Sequence, residues 1–180
     1  AHGAYAYSKR MVDVQIEAYN KQHGLNYCSV IPANIFGECD NYNLEDGHVV
    51  PSLIHKCFVA KQNNIPLEVW GNGAPMREFL YSDDVARACL DLLEKDVLPQ
   101  RIIVSGEHEI EIKELVQKIC DIFDYHNIKW LTEKPNGQLR RPCDKTIFNK
   151  VLNNFKFTNI DQALENSIDW FQKNYPEVRS

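Results

Sequence analysis

The chain has 180 residues, with 20 Lys and Arg against 25 Asp and Glu, a net charge of −5 and 44% hydrophobic residues. A chain of this length buries on the order of 70% of its unfolded-state surface, so its core needs neither disulfides nor metals. The acidic balance excludes a general nucleic-acid binder, which clusters Lys and Arg into a basic patch.

The opening AHGAYAYSKR starts directly in a helical pattern, without an initiator Met; this reads as a chain cut from something longer. Tyr5, Lys9, Val12, Ile16 and Tyr19 alternate at spacings of four and three, one stripe of an amphipathic helix, with Gly24 as its C-cap. Tyr27 to Ile31 (YCSVI) reads as a buried strand stopped at Pro32. Pro32 to Gly47, rich in Asn, Asp and Gly, is too long for a simple connection, and irregular loops of that length are usually functional. Val49 to Ala60 then predicts a helix, Leu67 to Trp70 a strand, Gly71 to Pro75 a turn and Glu78 to Tyr81 a second short strand. Ser82 is expected to cap the next helix, with Asp83 and Asp84 at the positive end of its dipole and Val85, Cys89, Leu92 and Leu93 facing inward.

The alternation continues. Arg101 to Ser105 predicts a strand, and Ile112 to Phe123 a helix with Ile112, Leu115, Val116, Ile119 and Phe123 inward. Ile128 to Leu131 reads as a strand, Pro135 to Pro142 (PNGQLRRP) as a loop holding two adjacent arginines, and Asp161 to Tyr175 as a last helix stopped by Pro176. No apolar run approaches the roughly 20 residues that cross a bilayer, and no apolar h-region of a signal peptide opens the chain, so a cytoplasmic protein is expected. Cys28, Cys39, Cys57, Cys89, Cys120 and Cys143 contain no C-x-x-C pair, which predicts neither a disulfide framework nor a metal site.

Tyr5 and Lys9 form a Tyr-x-x-x-Lys pair whose heads share one helix face. A phenol with an unperturbed pKa of about 10 transfers protons poorly at neutral pH, and a nearby ammonium favours its phenolate. Alone, the spacing is common, and a solvated Lys beside a core Tyr is the plain alternative. Downstream come P-A-N-I-F-G (Pro32 to Gly37), D-N-Y-N (Asp40 to Asn43), H-V-V-P (His48 to Pro51), W-G-N-G-A-P-M-R-E-F (Trp70 to Phe79), the aspartates Asp83 and Asp84, and N-G-Q-L-R-R (Asn136 to Arg141). In this order the set resembles the extended short-chain dehydrogenase/reductase family. Within it, the set is most similar to the branch that epimerises and reduces GDP-4-keto-6-deoxy-D-mannose to GDP-L-fucose. The Tyr–Lys pair, P-x-N-x-x-G and the paired aspartates are common to many sugar-nucleotide enzymes of that family. The D-N-x-N, H-V-x-P, W-G-x-G-x-P-x-R-E-F and N-G-Q-L-R-R blocks are specific to the branch.

The resemblance implies an α/β fold: the C-terminal part of an NAD(P)-binding Rossmann domain with a parallel sheet, over residues 1–47, and a smaller α/β sugar-nucleotide-binding lobe, mainly 48–180. It implies NADP as cofactor, a homodimer formed through the Tyr-x-x-x-Lys helix, and an enzyme inactive without the remainder of the Rossmann domain. Tyr5 would protonate the C4 oxygen as hydride arrives. Lys9 would tune it and hold the nicotinamide ribose, and Pro32, Ala33, Asn34 and Ile35 would pass beside the nicotinamide. His48 would contact the cofactor and act as the acid in C3 and C5 epimerisation, a task suited to a group with an unperturbed pKa of about 6.5. Without the surrounding motif, His48 would read as a helix-terminal His satisfied by backbone groups. Lys56, Trp70, Arg77 and Asn136 would bind the nucleotide sugar, the two cations on its diphosphate, with Asn136 accepting a hydrogen bond from a guanine or ribose group. Asn136-Gly137 stands where the family commonly has Asp-Gly, and Glu38 and Cys39 where it often has Pro and His. None of the eight glycines supplies the glycine-rich first βα turn that admits a pyrophosphate; Gly71 and Gly73 have Met76 in the third glycine position. The family's cysteine base would also lie upstream. Two other classes share these features: a related sugar-nucleotide epimerase or dehydratase without an acid at His48, and a non-catalytic module that keeps the substrate lobe.

Overall fold

The computed structural model describes residues 3–179. In chain order it runs α1 (Gly3–His23), β1 (Ser29–Pro32), β2 (Asn34–Phe36), α2 (Val49–Asn63), β3 (Leu67–Trp70), β4 (Met76–Tyr81), α3 (Ser82–Leu93), β5 (Arg101–Val104), β6 (Glu109–Glu111), α4 (Ile112–Phe123), β7 (Ile128–Leu131), α5 (Thr146–Val151) and α6 (Ile160–Asn174). Three small sheets result. β1 pairs in parallel with β5, Ser29 opposite Arg101; β3 pairs in parallel with β7, Leu67 opposite Ile128. β2 pairs in parallel with β4, which takes β6 antiparallel on its other side. Parallel strands joined through helices are the α/β class expected from the alternation of elements.

Two apolar clusters hold these layers together. The larger packs Ile54 and Cys57 of α2, Leu115, Val116 and Ile119 of α4, and Leu164 and Phe171 of α6 against Phe36, Leu67 and Val69. Each such side chain, fully removed from water, contributes about 1.5–3 kcal/mol. The smaller packs Ala88 and Leu92 of α3 and Phe148 of α5 onto Ile102 and Val104 of β5. Beneath it the buried Asp84 accepts Thr158 N at 2.9 Å and Thr158 Oγ1 at 2.7 Å and pairs with Arg87, tying the chain after α5 to the first turn of α3.

Several expectations shift in detail. Ser82 is not the cap of α3: Tyr81 holds that position in an extended conformation without a side-chain cap bond, and Ser82 packs where Gly37 leaves no room for a Cβ, 2.2 Å from Ser82 Oγ. Leu93 is 77% exposed while Ala88 is fully buried, because Ala88 and Leu92 lie four apart on the face that meets β5 and Leu93 is rotated off it. β2 and β6 run three residues each and α5 six; β2 lies inside the stretch read as a loop, and β6 and α5 in stretches for which the sequence predicts no element. Gly24 has φ +64° and closes α1 as expected. The apolar stripe of α1 is not a core face: Tyr5, Val12 and Tyr19 are exposed and only Asp13 is buried, held by Arg10 at 2.9 Å and Arg101 at 3.2 Å.

Candidate active site

α1, the β1–β2 junction, the N-terminus of α2, the end of β3, β4 and the segment after β7 surround one cleft of about 1420 Å³. Helical spacing puts Tyr5 and Lys9 on its wall, with Lys9 Nζ 5.5 Å from the centre of the Tyr5 ring. Pro32, Ala33, Asn34 and Ile35 run along the next side. Their course is fixed by Ala33 N donating to Val104 O at 2.8 Å and by Asn34 Nδ2 donating to Glu78 O at 2.8 Å.

The loop that follows is built from turns closed by its own asparagines and aspartate. Asp40 Oδ1 accepts Asn41 N at 2.7 Å, Asn41 Oδ1 accepts Asn43 N at 3.1 Å, and Asn43 Oδ1 accepts Glu45 N and Asp46 N at 2.8 Å each, the local bonding that favours these residues in turns. The fully buried Tyr42 is its anchor: its OH donates to Gly37 O at 3.1 Å and its carbonyl oxygen lies 2.7 Å from Nδ1 of the buried His55. A carbonyl can only accept, so Nδ1 of His55 carries the proton. This loop delivers His48 to the N-cap of α2 with φ −64° and ψ 165° and no side-chain cap bond. The imidazole is therefore not consumed by the helix end; it projects into the cleft with Nδ1 3.7 Å from Asp40 Oδ1.

Ser52 and Lys56, one and two turns beyond His48, continue the same face of α2 into the cleft. Opposite stands Trp70, 63% exposed, with Glu68 beside it because the strand alternates buried Leu67 and Val69 with exposed Glu68 and Trp70. Arg77 reaches the cleft from β4, its Nη1 donating to Met76 O at 2.6 Å and its Nη2 to Gln138 O at 2.7 Å. Asn136 completes the rim. Its Oδ1 accepts Asn72 N at 2.8 Å, which ties the amide to the turn after β3.

All eleven site residues named from the sequence thus line this one cleft. Sequence reasoning missed Glu45, Glu68 and Pro135, which line it too; the period-two alternation of L-E-V-W would have put Glu68 beside Trp70. Lys9, Lys56 and Arg77 line it together with Glu45 and Glu68, a field of mixed charge. All six cysteines are free thiols, and among the described residues no helix is long and apolar enough to cross a membrane.

A GDP-L-fucose synthase of Dictyostelium discoideum is 38% identical over 178 residues, covering 97% of this chain and 56% of the relative. The GDP-L-fucose synthase of Escherichia coli K12 is 32% identical over 174 residues, covering 91% and 54%. The crystal structure of a GDP-L-fucose synthetase from Naegleria fowleri bound to NADP superposes with a TM-score of 0.94 at 37% identity, covering all of this chain and 59% of that one. The chain thus spans somewhat more than half the length of the relatives it matches. Residues 1–106, more than half of the chain, match the NAD dependent epimerase/dehydratase family, and the chain belongs to that family.

Proposed function

We propose that this chain carries the substrate lobe and part of the catalytic machinery of a GDP-L-fucose synthase. That enzyme epimerises GDP-4-keto-6-deoxy-D-mannose at C3 and C5 and reduces it at C4 with NADPH. The observation that carries this reading is the convergence of Tyr5, Lys9, His48, Lys56, Trp70, Arg77 and Asn136 on one cleft from five separate segments. Its similarity to synthases of that name supports the choice of substrate over other nucleotide sugars.

The residues present fit the nicotinamide end of the cofactor. Pro32 to Ile35 offer a run of backbone beside the Tyr–Lys pair, and Lys9 stands where an ammonium can meet a ribose hydroxyl. When bound there, the dinucleotide supplies hydride to a carbonyl carbon. Tyr5 then donates its phenolic proton to the C4 oxygen, and Lys9 one turn away lowers the cost of the resulting phenolate. His48, uncapped and open to the cleft, delivers a proton to the sugar during epimerisation. Lys56 and Arg77 meet the diphosphate, where charge-assisted bonds are the stronger polar contacts, and Trp70 offers a flat wall for the base or sugar. Residues 1–47 belong on this reading to the cofactor domain and most of 48–180 to the sugar-nucleotide lobe. The exposed Tyr7, Met11 and Val14 of α1 suit a helix face buried in a homodimer, and the composition suits the cytoplasm.

The test is the reaction itself. The full-length protein converts GDP-4-keto-6-deoxy-D-mannose to GDP-L-fucose with one NADPH consumed per turnover. Turnover of a UDP- or dTDP-linked 4-keto sugar in preference would refute the substrate; no turnover of any 4-keto sugar would refute the enzyme.

A further inference from the structure

The adjacent arginines of the 132–145 segment sit in a motif whose cations invite assignment to the ligand phosphates, yet the structure turns Arg140 away from the cleft. Its Nε lies 2.7 Å and its Nη2 2.6 Å from Glu109 Oε2. A little further on, Cys143 N donates to Glu78 Oε2 at 3.2 Å. Lys145 Nζ lies 3.3 Å from Glu78 Oε1 and donates to Gly106 O and Glu107 O at 3.0 and 2.9 Å. Glu78 and Glu109 are register partners, directly opposite across the antiparallel β4–β6 pair. Two carboxylates facing each other in that way repel, and both are largely shielded from water, Glu78 with a side chain 5% exposed and Glu109 11%. Glu109 Oε1 has no hydrogen-bond partner at all. The strap between β7 and α5 brings the two cations that neutralise this pair. The same strap presents Asn136 to the cleft and, through Gln138 O, holds the guanidinium of Arg77.

We propose that Arg140 is a positioning residue for the nucleotide site: with Glu109 it latches the strap to β6, and so sets Asn136 and Arg77 against the ligand without touching it. The proposal rests on the reading of the cleft as a nucleoside diphosphate sugar site. Removing the guanidinium leaves a shielded carboxylate unpaired, and the strap gives way while the Tyr5–Lys9–His48 side of the cleft is untouched.

The test measures GDP and NADPH binding by calorimetry, and amide exchange of residues 135–139, on the full-length protein and on Arg140→Gln, Glu109→Gln and the double variant. A latch predicts that each single variant weakens GDP about tenfold, that the double variant is no worse than either, that NADPH affinity is unchanged, and that exchange in 135–139 accelerates in all three. Arg140 is exposed, so Arg140→Gln keeps the fold and remains informative should Glu109→Gln not. Loss of GDP affinity in Arg140→Gln but not in Glu109→Gln would make Arg140 a phosphate ligand and overturn the latch. Unchanged GDP affinity or unchanged exchange in Arg140→Gln would overturn it as well. A wild-type protein that does not bind GDP, with exchange still accelerated in the variants, would instead refute the nucleotide-sugar reading beneath it.

Discussion

Gly47 is the position at which the His48 loop tolerates no side chain. A Cβ built there would stand 2.3 Å from Asn43 O and 2.8 Å from Asn41 O, both backbone atoms of the turns that shape the loop, so neither can swing aside as a side-chain tip could. The Gly47 amide also donates to Asn43 O at 3.0 Å, and Gly47→Ala would push apart the two groups this bond joins. Overpacking of this kind costs about 1–3 kcal/mol and a lost hydrogen bond about 1 kcal/mol, so a total of about 2–4 kcal/mol is expected. For a chain of this size that lowers Tm by about 10 °C. The loop can escape part of that cost by shifting, and then His48 moves with it; a misplacement of about 1 Å at a reacting group costs on the order of 100-fold in rate. Thermal denaturation, together with deuterium exchange from D2O into C3 and C5 of the bound sugar, reads both consequences. A Gly47→Ala protein with wild-type Tm and wild-type exchange would refute the argument that the loop is rigid and that its rigidity places His48.

Other outcomes follow from separate parts of the molecule. Asp84→Ala leaves Thr158 without its buried acceptor and Arg87, itself half-exposed, without its carboxylate, and should destabilise the fold by about 1–3 kcal/mol in urea denaturation; no measurable change would mean the tie to α3 is dispensable. For Glu78, burial opposes ionisation, but bonds from Ser105 and Cys143 and the charge of Lys145 outweigh it and hold its carboxyl below the ordinary glutamate range. A carboxylate with a depressed native pKa contributes stability above its unfolded value of about 4.3 and loses it as the pH falls through the native value. Glu78→Gln should therefore flatten the decline of stability below about pH 4.3, and an unaltered acid limb would contradict the assignment. His48→Asn should slow deuterium incorporation at C3 or C5 by about 100-fold or more, a far larger effect than any on NADPH affinity; unchanged incorporation would remove His48 from the epimerisation.

Long periodic elements were legible in the sequence and short or context-dependent ones were not. α4 and β7 match their expected bounds, because I-K-E-L-V-Q-K-I-C-D-I-F repeats an apolar face over three turns and I-K-W-L is a compact β-rich run. β2, β6 and α5 are too short for any period to register: Asn34–Phe36 is a strand only because β4 lies beside it, and Glu109–Glu111 offers two carboxylates with no apolar alternation. The site was legible as a set of residue types in order, since Tyr5 with Lys9 and His48 with Lys56 follow helical spacing on one face each. Its internal bonding was not. That Asn136 spends its carbonyl on Asn72 N, and that Arg140 faces Glu109 rather than the cleft, depends on contacts across more than thirty positions, which no local pattern encodes.

Tyr5 is, on the function proposed above, the proton donor of a carbonyl reduction carried out in this cleft. Single-turnover oxidation of NADPH by full-length Tyr5→Phe with GDP-4-keto-6-deoxy-D-mannose measures it directly. Reduction at least 100-fold slower than wild type, with nucleotide-sugar affinity retained, is the predicted result; a wild-type rate would contradict the account.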